Sequence, residues 1–390
     1  MTEVDIEDIE LPLHAFDLQF HPSEPVVASS NVAGHVLFHQ YNVAEGTARL
    51  VLELEAHDES CRAIRFFPDG QHMVSGSADY RVQVVDRQGN RVWRKKHRGK
   101  VNAVNVLSEQ IFASGDDDGV IKVWDLRQPK SVMSFHEQGD FISDLMPDDE
   151  VKYLLATSGD GTLGVYDLRT RNGELEALSD PHDDEYLSLQ IMKDGRKVVC
   201  GTQNGVISLF SWGDFGDLND RLLGHPMSVD AMVKLDESTL LTGSSDGIIR
   251  IVSILPNRII GVLGEHGETL FERGESFPVE RLALDPSNAI LASLSHDLCI
   301  KFWSTAHAYL TAEEAMKEGK GRKGMQIDED DHDDDDDDDG DEEEDEDGPG
   351  PAPPPPAAAA AASAAAAAPS AGLRRSSRLR ARSDDFFDDL

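Results

Sequence analysis

The sequence predicts an all-β protein, a seven-bladed β-propeller followed by a disordered, charged C-terminal tail. Three observations predict it. A turn of an acidic residue and glycine recurs, with variants, along the first 310 residues of the 390-residue chain. Successive repeats lie 39 to 51 residues apart, which is the period of a four-stranded blade. After about residue 310 the pattern stops, and the composition changes to charged and Pro/Ala-rich segments with few residues for a core.

The repeat is clearest from Ser114 to Asp125, which read SGDDDGVIKVWD. Small residues precede the acidic turn, and alternating aliphatic residues lead to an aromatic one, as a β-hairpin requires. The seven turns are Ala33-Gly34, Asp79-Tyr80, Asp118-Gly119, Asp160-Gly161, Asn204-Gly205, Asp246-Gly247 and Asp297-Leu298. This spacing is typical of WD repeats, each of which forms a four-stranded sheet. We therefore assign residues 14–310 to a WD-repeat propeller.

A histidine precedes six of the turns, and in five cases it lies 21 to 24 residues before the acidic or amide residue. The histidines are His57, His97, His136, His182, His225 and His266. With a hydroxyl residue four positions before the acid, they predict a buried His, Ser, Asp and Trp network inside a blade. Two repeats carry the full set: His97, Ser114, Asp118 and Trp124, and His266, Ser293, Asp297 and Trp303. Because one set per blade is distributed around a ring, the pattern predicts a structural role and no catalytic, cofactor or metal site.

Residues 1–13 form a separate N-terminal segment. Acidic and aliphatic residues alternate there around Asp5 to Leu13, a period typical of a β-strand. We expect this segment to add the outer strand that closes the last blade. A propeller closed by its own chain is expected to act as a monomer within a larger complex.

The net charge of −38 at pH 7 limits the possible partners. Such a field repels nucleic-acid backbones and favours basic proteins, so direct nucleic-acid binding by the propeller is not expected. The sequence shows neither an apolar stretch of membrane-spanning length nor a secretory leader, and its three cysteines form no C-x-x-C pair. It also contains no phosphate-binding loop or nucleophile elbow, so we predict no enzyme activity and no cofactor.

The predicted tail, residues 311–390, has an acidic run at 328–347, a Pro/Ala-rich stretch at 349–371, a basic cluster at 374–382 and a terminal DDFFDDL motif. The acidic run is suited to binding basic proteins or to serving as a solubilising spacer. The basic cluster, typical of a nuclear address, consists of Arg374, Arg375, Arg378, Arg380 and Arg382. Phe386, Phe387 and Leu390 have no core to join, and we interpret them as a docking peptide.

Several stretches resemble the WD repeat-containing protein 55 family across nearly all of residues 10–310. They are FDLQFHPS from Phe16, LATSGDGTLGVYDLR from Leu155, FSWGDFGDLNDR from Phe210 and IRIVSILPNRIIGVLGEH from Ile249. The terminal SDDFFDDL is also similar to a tail segment of this family. Departures from the blade pattern are Val85, Val252, Asn204 and His39. The resemblance implies a non-catalytic protein of the nucleus, mainly the nucleolus, that supports ribosomal RNA synthesis or processing and ribosome assembly with ribosome-assembly factors.

Two alternative functions follow from local motifs. Trp124-Asp125-Leu126-Arg127 and Tyr166-Asp167-Leu168-Arg169 resemble the boxes with which substrate receptors of cullin-RING ubiquitin ligases bind their adaptor. The candidate adaptor-binding residues are therefore Trp124, Asp125, Arg127, Tyr166, Asp167 and Arg169, with the arginines as the discriminating residues. The second alternative is RNA binding by a basic patch around Trp93, which contains Arg91, Arg94, Lys95, Lys96, Arg98 and Lys100.

Overall fold

The structure is a computed structural model that describes residues 6–170, 173–267 and 277–322. Within these ranges, 28 β-strands form seven four-stranded antiparallel sheets, the blades of a propeller, and one α-helix follows them. The predicted fold class, an all-β seven-bladed WD-repeat propeller, is confirmed. The helix in the described part of the chain is not long and apolar enough to cross a membrane.

Blades 1 to 3 each consist of four consecutive strands. Blade 1 contains β2 (Ala15–Phe20), β3 (Val26–Asn31), β4 (His35–Asn42) and β5 (Thr47–Glu55). Blade 2 contains β6 (Cys61–Phe66), β7 (His72–Ser77), β8 (Arg81–Asp86) and β9 (Arg91–Lys96). Blade 3 contains β10 (Val101–Val106), β11 (Ile111–Asp116), β12 (Ile121–Asp125) and β13 (Met133–Phe135).

Blades 4 to 6 repeat this arrangement. Blade 4 contains β14 (Ile142–Pro147), β15 (Tyr153–Ser158), β16 (Leu163–Asp167) and β17 (Glu174–Leu178). Blade 5 contains β18 (Tyr186–Met192), β19 (Lys197–Thr202), β20 (Ile207–Ser211) and β21 (Asp220–Leu222). Blade 6 contains β22 (Val229–Lys234), β23 (Thr239–Ser244), β24 (Ile248–Ser253) and β25 (Arg258–Glu265).

Blade 7 is built from both ends of the propeller sequence. Its first three strands are β26 (Val279–Leu284), β27 (Ile290–Ser295) and β28 (Cys299–Ser304). The outer strand is β1 (Ile9–Glu10), which pairs with β28 through Ile9 opposite Ile300. The backbone N–H of Leu11 also donates to the carbonyl of Leu298 at 2.7 Å. The N-terminal segment therefore lies where the sequence predicted it, at the closure of the ring.

The first strands of the seven blades form the inner wall of the ring. Each of these strands contacts the first strands of the two adjacent blades. The seven first strands are β2, β6, β10, β14, β18, β22 and β26. Apolar residues fill the space between adjacent blades, where for example Val26 and Ala28 of blade 1 pack with Ile64 and Met73 of blade 2. The core thus lies between blades and around a central channel.

The connections between strands alternate between the two ends of each blade because the sheets are antiparallel. We call the end that carries the turns between second and third strands, and the loops between blades, the upper face; the opposite end is the lower face. At the upper turn of blade 3, Gly119 has φ 74°. A Cβ there would lie 2.2 Å from the carbonyl oxygen of Gln138, so only glycine fits. Tyr80 and Leu298 occupy equivalent positions with φ 65° and 63°.

The helix α1 (Ala306–Arg322) corrects the predicted start of the tail at residue 311. Ala308 and Tyr309 pack on blade 6, and the Tyr309 hydroxyl donates to the Leu235 carbonyl at 3.3 Å. The Arg258 guanidinium donates to the Ala315 carbonyl at 3.0 Å. One apolar helix face is thus paired with a blade, although the surrounding Lys and Glu residues suggested an unfolded tail. The remaining tail, residues 323–390, lies outside the described residues.

Candidate functional site

All seven first strands contain a β-bulge at their second residue. In blade 3, Val101 pairs with Asp116 and Ala103 pairs with Gly115, so Asn102 has no partner on β11. The same shift of register occurs in the other six blades. A bulge of this kind redirects a side chain out of the regular alternation. The bulged residues are Phe16, Arg62, Asn102, Ser143, Leu187, Asp230 and Glu280, which we call the mouth residues.

The mouth residues surround one cavity of about 430 Å³ at the upper end of the channel. Asp117, Phe141 and Arg281 complete its lining. The blades repeat their core residues, whereas the seven mouth positions carry seven different residue types. Phe16, Phe141 and Leu187 are only partly buried, so apolar surface lies beside charged groups. Such a mixed, concave surface is typical of a recognition site.

The charged part of the mouth is held by hydrogen bonds. The Arg62 guanidinium donates to the side-chain oxygen of Asn102 and, at 3.1 Å, to Asp117. On the other side, Asp230 accepts from the hydroxyls of Ser228 and Ser245 at 2.9 and 2.7 Å. Burial raises the pKa of Asp230, although these hydroxyls oppose the shift. The polar groups of the mouth are therefore pre-positioned.

An ion-pair cluster lies directly below the mouth. The buried carboxylate of Asp17 accepts from the Arg65 guanidinium at 2.6 Å and from the backbone N–H of Ile64 at 2.8 Å. The Arg281 Nε lies 3.6 Å from the same carboxylate. Burial also raises the pKa of Asp144, which Arg281 partly offsets. Asp17 thus connects the first strands of blades 1, 2 and 7.

The polar network of blade 3 uses a different acid from the predicted one. His97 Nδ1 lies 3.0 Å from Asp116 Oδ2, and His97 Nε2 lies 2.6 Å from the Ser114 hydroxyl. Trp124 Nε1 donates to the same hydroxyl at 2.7 Å. Asp118, the predicted acid, instead lies in the turn, where its backbone N–H donates to Asp116. The correction has a geometric cause, because Asp116 ends β11 and is fully buried whereas Asp118 is at the turn.

Blade 7 brings together the four residues predicted for it. His266 contacts Asp297 at 2.8 Å and the Ser293 hydroxyl at 2.6 Å, and Trp303 Nε1 donates to that hydroxyl at 2.7 Å. Blade 2 has a shorter version, in which His57 contacts Ser75 and Asp79 while Val85 replaces the tryptophan. Burial opposes ionisation of Asp79, but hydrogen bonds from His57 and Arg81 lower its pKa to about 2. Each network lies within a single blade.

Blades 4 and 6 depart from the predicted pattern. In blade 4 the histidine position is taken by Gln138, whose side-chain oxygen accepts from the Tyr166 hydroxyl at 3.1 Å. His136, which the spacing assigned to this role, is exposed and contacts Ser134. In blade 6, His225 contacts Thr242, while Asp246 pairs with Arg250 at 2.5 Å. Residue spacing alone does not show that other residues take these network positions in blades 4 and 6.

Substitution Ser114→Ala is expected to destabilise the protein by about 2–3 kcal/mol, because the buried Nε2 of His97 and the buried Nε1–H of Trp124 both lose their hydrogen-bond partner. Urea unfolding followed by tryptophan fluorescence measures the change. Ser108→Ala, at an exposed position of the same blade, is the control. Equal midpoints for Ser114→Ala and the control would show that the network contributes no stability.

The two predicted adaptor boxes expose only their arginines. Trp124, Asp125, Tyr166 and Asp167 are buried, so the prediction that these four side chains contact an adaptor is corrected. The Arg127 and Arg169 side chains are 65% and 51% exposed at the lower ends of adjacent blades. Each guanidinium forms a two-point contact with the aspartate of its own box. Hydrogen bonds from Arg127 lower the pKa of Asp125, despite opposition from burial.

The predicted basic patch around Trp93 forms the outer strand of blade 2 and the loop that follows it. The Trp93 ring packs against Trp124 with centroids 5.4 Å apart, so it is part of the core. Arg94 lies 3.8 Å from Asp79. An aromatic ring used for packing is not free to stack on a base, which weakens the RNA-binding alternative. The arginines of the basic cluster (Arg374, Arg375, Arg378, Arg380, Arg382) and the docking peptide (Phe386, Phe387, Leu390) lie outside the described residues.

Sequence comparisons support one family. The family model WDR55 matches residues 6–308, which include the complete propeller and its closing strand. The chain belongs to the WDR55 family. It is 42% identical over 301 residues to WD repeat-containing protein 55 of Arabidopsis thaliana, covering 76% of this chain and 82% of that protein. It is 39% identical over 303 residues to the Homo sapiens protein of the same name, covering 77% and 76%.

Similar proteins are also found in an amoeba and a fungus. The chain is 35% identical over 312 residues to WD repeat-containing protein JIP5 of Cryptococcus neoformans, covering 77% of this chain and 81% of that protein. A WD-repeat propeller of this kind is a protein-interaction scaffold.

Residue spacing had not identified the mouth of this WDR55-family propeller. Its signal in the sequence is the variable residue directly after the first apolar residue of each inner strand.

Proposed function

We propose that this WDR55-family propeller is a non-catalytic nuclear, mainly nucleolar scaffold that supports ribosomal RNA synthesis or processing and ribosome assembly. The observation that carries the scaffold role is the mouth, where seven bulged side chains of different types converge on one cavity. The seven mouth positions carry seven different residue types around this cavity, which supports recognition of a partner there. The cellular role rests on the family resemblance and on the arginine cluster at 374–382.

The charge of the upper face supports a basic protein partner. Blades 4 and 5 place five carboxylates on this face, in the loops before their first strands and in one upper turn: Asp140, Asp160, Asp183, Asp184 and Glu185. These groups attract lysine- and arginine-rich surfaces, such as those of proteins that bind ribosomal RNA. The acidic run at 328–347 is also negatively charged and therefore also attracts basic proteins.

Cellular location tests the proposed address. The full-length tagged protein is expected in nucleoli, with ribosome-assembly factors co-purifying. A chain ending at Arg322, which retains the propeller and α1, is expected to lose nucleolar enrichment. A full-length variant with the five arginines of the basic cluster changed to alanine should behave like the truncated chain. Unchanged nucleolar location of both variants would refute this role of the cluster.

Partner binding tests the mouth independently of location. The double variant Phe141→Ala and Leu187→Ala is expected to weaken capture of the co-purifying proteins about tenfold or more, as substitution of central apolar residues does in other interfaces. The matched control is Leu175→Ala with Leu178→Ala. This double variant removes exposed apolar side chains from β17, the outer strand of blade 4. Equal capture by the two double variants would place the partner elsewhere.

A second candidate function is adaptor binding in a cullin-RING ligase. It is favoured by the exposure of Arg127 and Arg169 on adjacent blades at the same face. The combined change Arg127→Ala and Arg169→Ala is expected to abolish adaptor binding and to change the unfolding midpoint little. The arginine side chains are largely exposed, and each aspartate keeps the backbone N–H donor of residue 127 or 169. Adaptor binding that persists in the double variant would eliminate this candidate.

A further inference from the structure

Three potential metal ligands meet on the upper face where blade 7 joins blade 1. They are His14, just before β2, Glu280 in β26, and His296 in the turn between β27 and β28. One ligand atom from each residue lies within 4.8 Å of the other two. No metal site was predicted from the sequence, because Glu280 and His296 lie in blade 7 and only ring closure brings His14 to them.

The cluster leaves one buried nitrogen without a partner. The His296 Nε2 contacts Glu280 Oε1, and the rings of His14 and His296 lie 4.4 Å apart at an angle of 75°. His14 Nε2 is buried and has no hydrogen-bond partner among the residues that the structure describes. A buried nitrogen without a partner is costly, and a bound cation at this point would satisfy it.

The residue types suit a borderline-soft divalent cation. Two imidazoles and one carboxylate are a common zinc ligand set, and three protein ligands leave a fourth position for water or a partner. We propose that His14, Glu280 and His296 bind one Zn²⁺ ion and thereby join blade 7 to the segment that enters blade 1. Glu280 and His296 are 30% and 39% exposed, which gives the ion a path from solvent.

The surroundings hold the ligands in place. The His14 carbonyl accepts from the Val32 N–H at 2.9 Å, and the His296 N–H donates to the Pro278 carbonyl at 3.3 Å. Because the ligands come from both ends of the propeller, bound zinc stabilises the closed ring.

Zinc binding by the full-length chain tests the proposal. Isothermal titration with Zn²⁺ is made in excess Mg²⁺. Because Mg²⁺ prefers oxygen ligands, it competes with Zn²⁺ for the carboxylates of the acidic run at 328–347. The native chain is expected to retain one Zn²⁺ site under these conditions. His14→Ala and His296→Ala are each expected to weaken this site about tenfold or more. The control is His35→Ala, which removes a histidine from an isolated pair with Glu53.

Thermal unfolding gives a second measurement. Zn²⁺ is expected to raise the melting temperature of the native chain and of His35→Ala, but not that of His14→Ala or His296→Ala. Melting curves recorded without metal show whether each variant folds, and the half-exposed His296 provides the milder substitution. Absence of a Zn²⁺ site in the native chain in excess Mg²⁺ would overturn the proposal. An unchanged site in the double variant His14→Ala with His296→Ala would do the same.

Discussion

Deletion of residues 1–13 is expected to destabilise the propeller by about 4–6 kcal/mol. Ile6, Ile9 and Leu11 are buried in the core between blades 7 and 1. Each contributes about 1.5–3 kcal/mol on burial, and the conformational entropy regained by the released segment offsets part of the loss. The deletion also removes the pairing of β1 with β28 and the hydrogen bonds of Glu7 to Gly46 and Ala48 in blade 1.

Chemical unfolding and the melting temperature both measure this effect. A chain lacking only residues 1–5 is the control, because it retains Ile6 and all of β1. The deletion of residues 1–13 also leaves β28 as an unpaired edge, so we expect concentration-dependent aggregation that the control lacks. Equal stability of the two chains would mean that the first strand does not contribute to closure.

Asp17→Ala is expected to cost about 3–4 kcal/mol, since removing one partner of a buried ion pair leaves uncompensated charge. Arg65 loses its 2.6 Å contact and Arg281 loses a carboxylate 3.6 Å away. The backbone N–H groups of Leu18 and Ile64 lose their acceptor as well. Because these groups belong to three blades, the change weakens the inner wall of the channel at several points.

The conservative variant separates charge from hydrogen bonding. Asp17→Asn retains an oxygen acceptor, so it is expected to lose less stability than Asp17→Ala in urea unfolding. Glu53→Ala, which removes the acid of an exposed pair with His35, is the control and should be close to native. A loss below about 1 kcal/mol for Asp17→Ala would place it among ordinary surface substitutions and contradict the role of the cluster.

The repeat made the blades predictable, whereas the identity of several contacts depended on geometry that spacing does not contain. Turn chemistry and strand alternation predicted seven four-stranded sheets and their closing strand. Blade 3 has three consecutive acids, and the spacing favoured Asp118 as the partner of His97. The acid that contacts the His97 imidazole is instead Asp116, at the end of β11. In blade 4, the spacing assigned the histidine role to His136, whereas the structure gives this role to Gln138.

The mouth and the metal-ligand cluster were missed for a different reason. A β-bulge is a local change of register, and the sequence of a single strand does not show which residue it displaces. His14 and His296 become neighbours only after seven blades have closed, so no local pattern connects them. The helix α1 was missed because its buried face is short and two small residues, Ala308 and Ala312, provide much of it.

The pairing of β1 with β28 also sets an order of events during protein synthesis. Glu10 and its partner Cys299 are separated by 289 positions (299 − 10). At roughly 5–20 residues per second, about 15–60 s pass between their emergence from the ribosome. The strand made first is therefore the last to find its place, and the nascent propeller remains an open ring in the meantime. Any factor that holds the first ten residues on the nascent chain would delay completion of the whole domain.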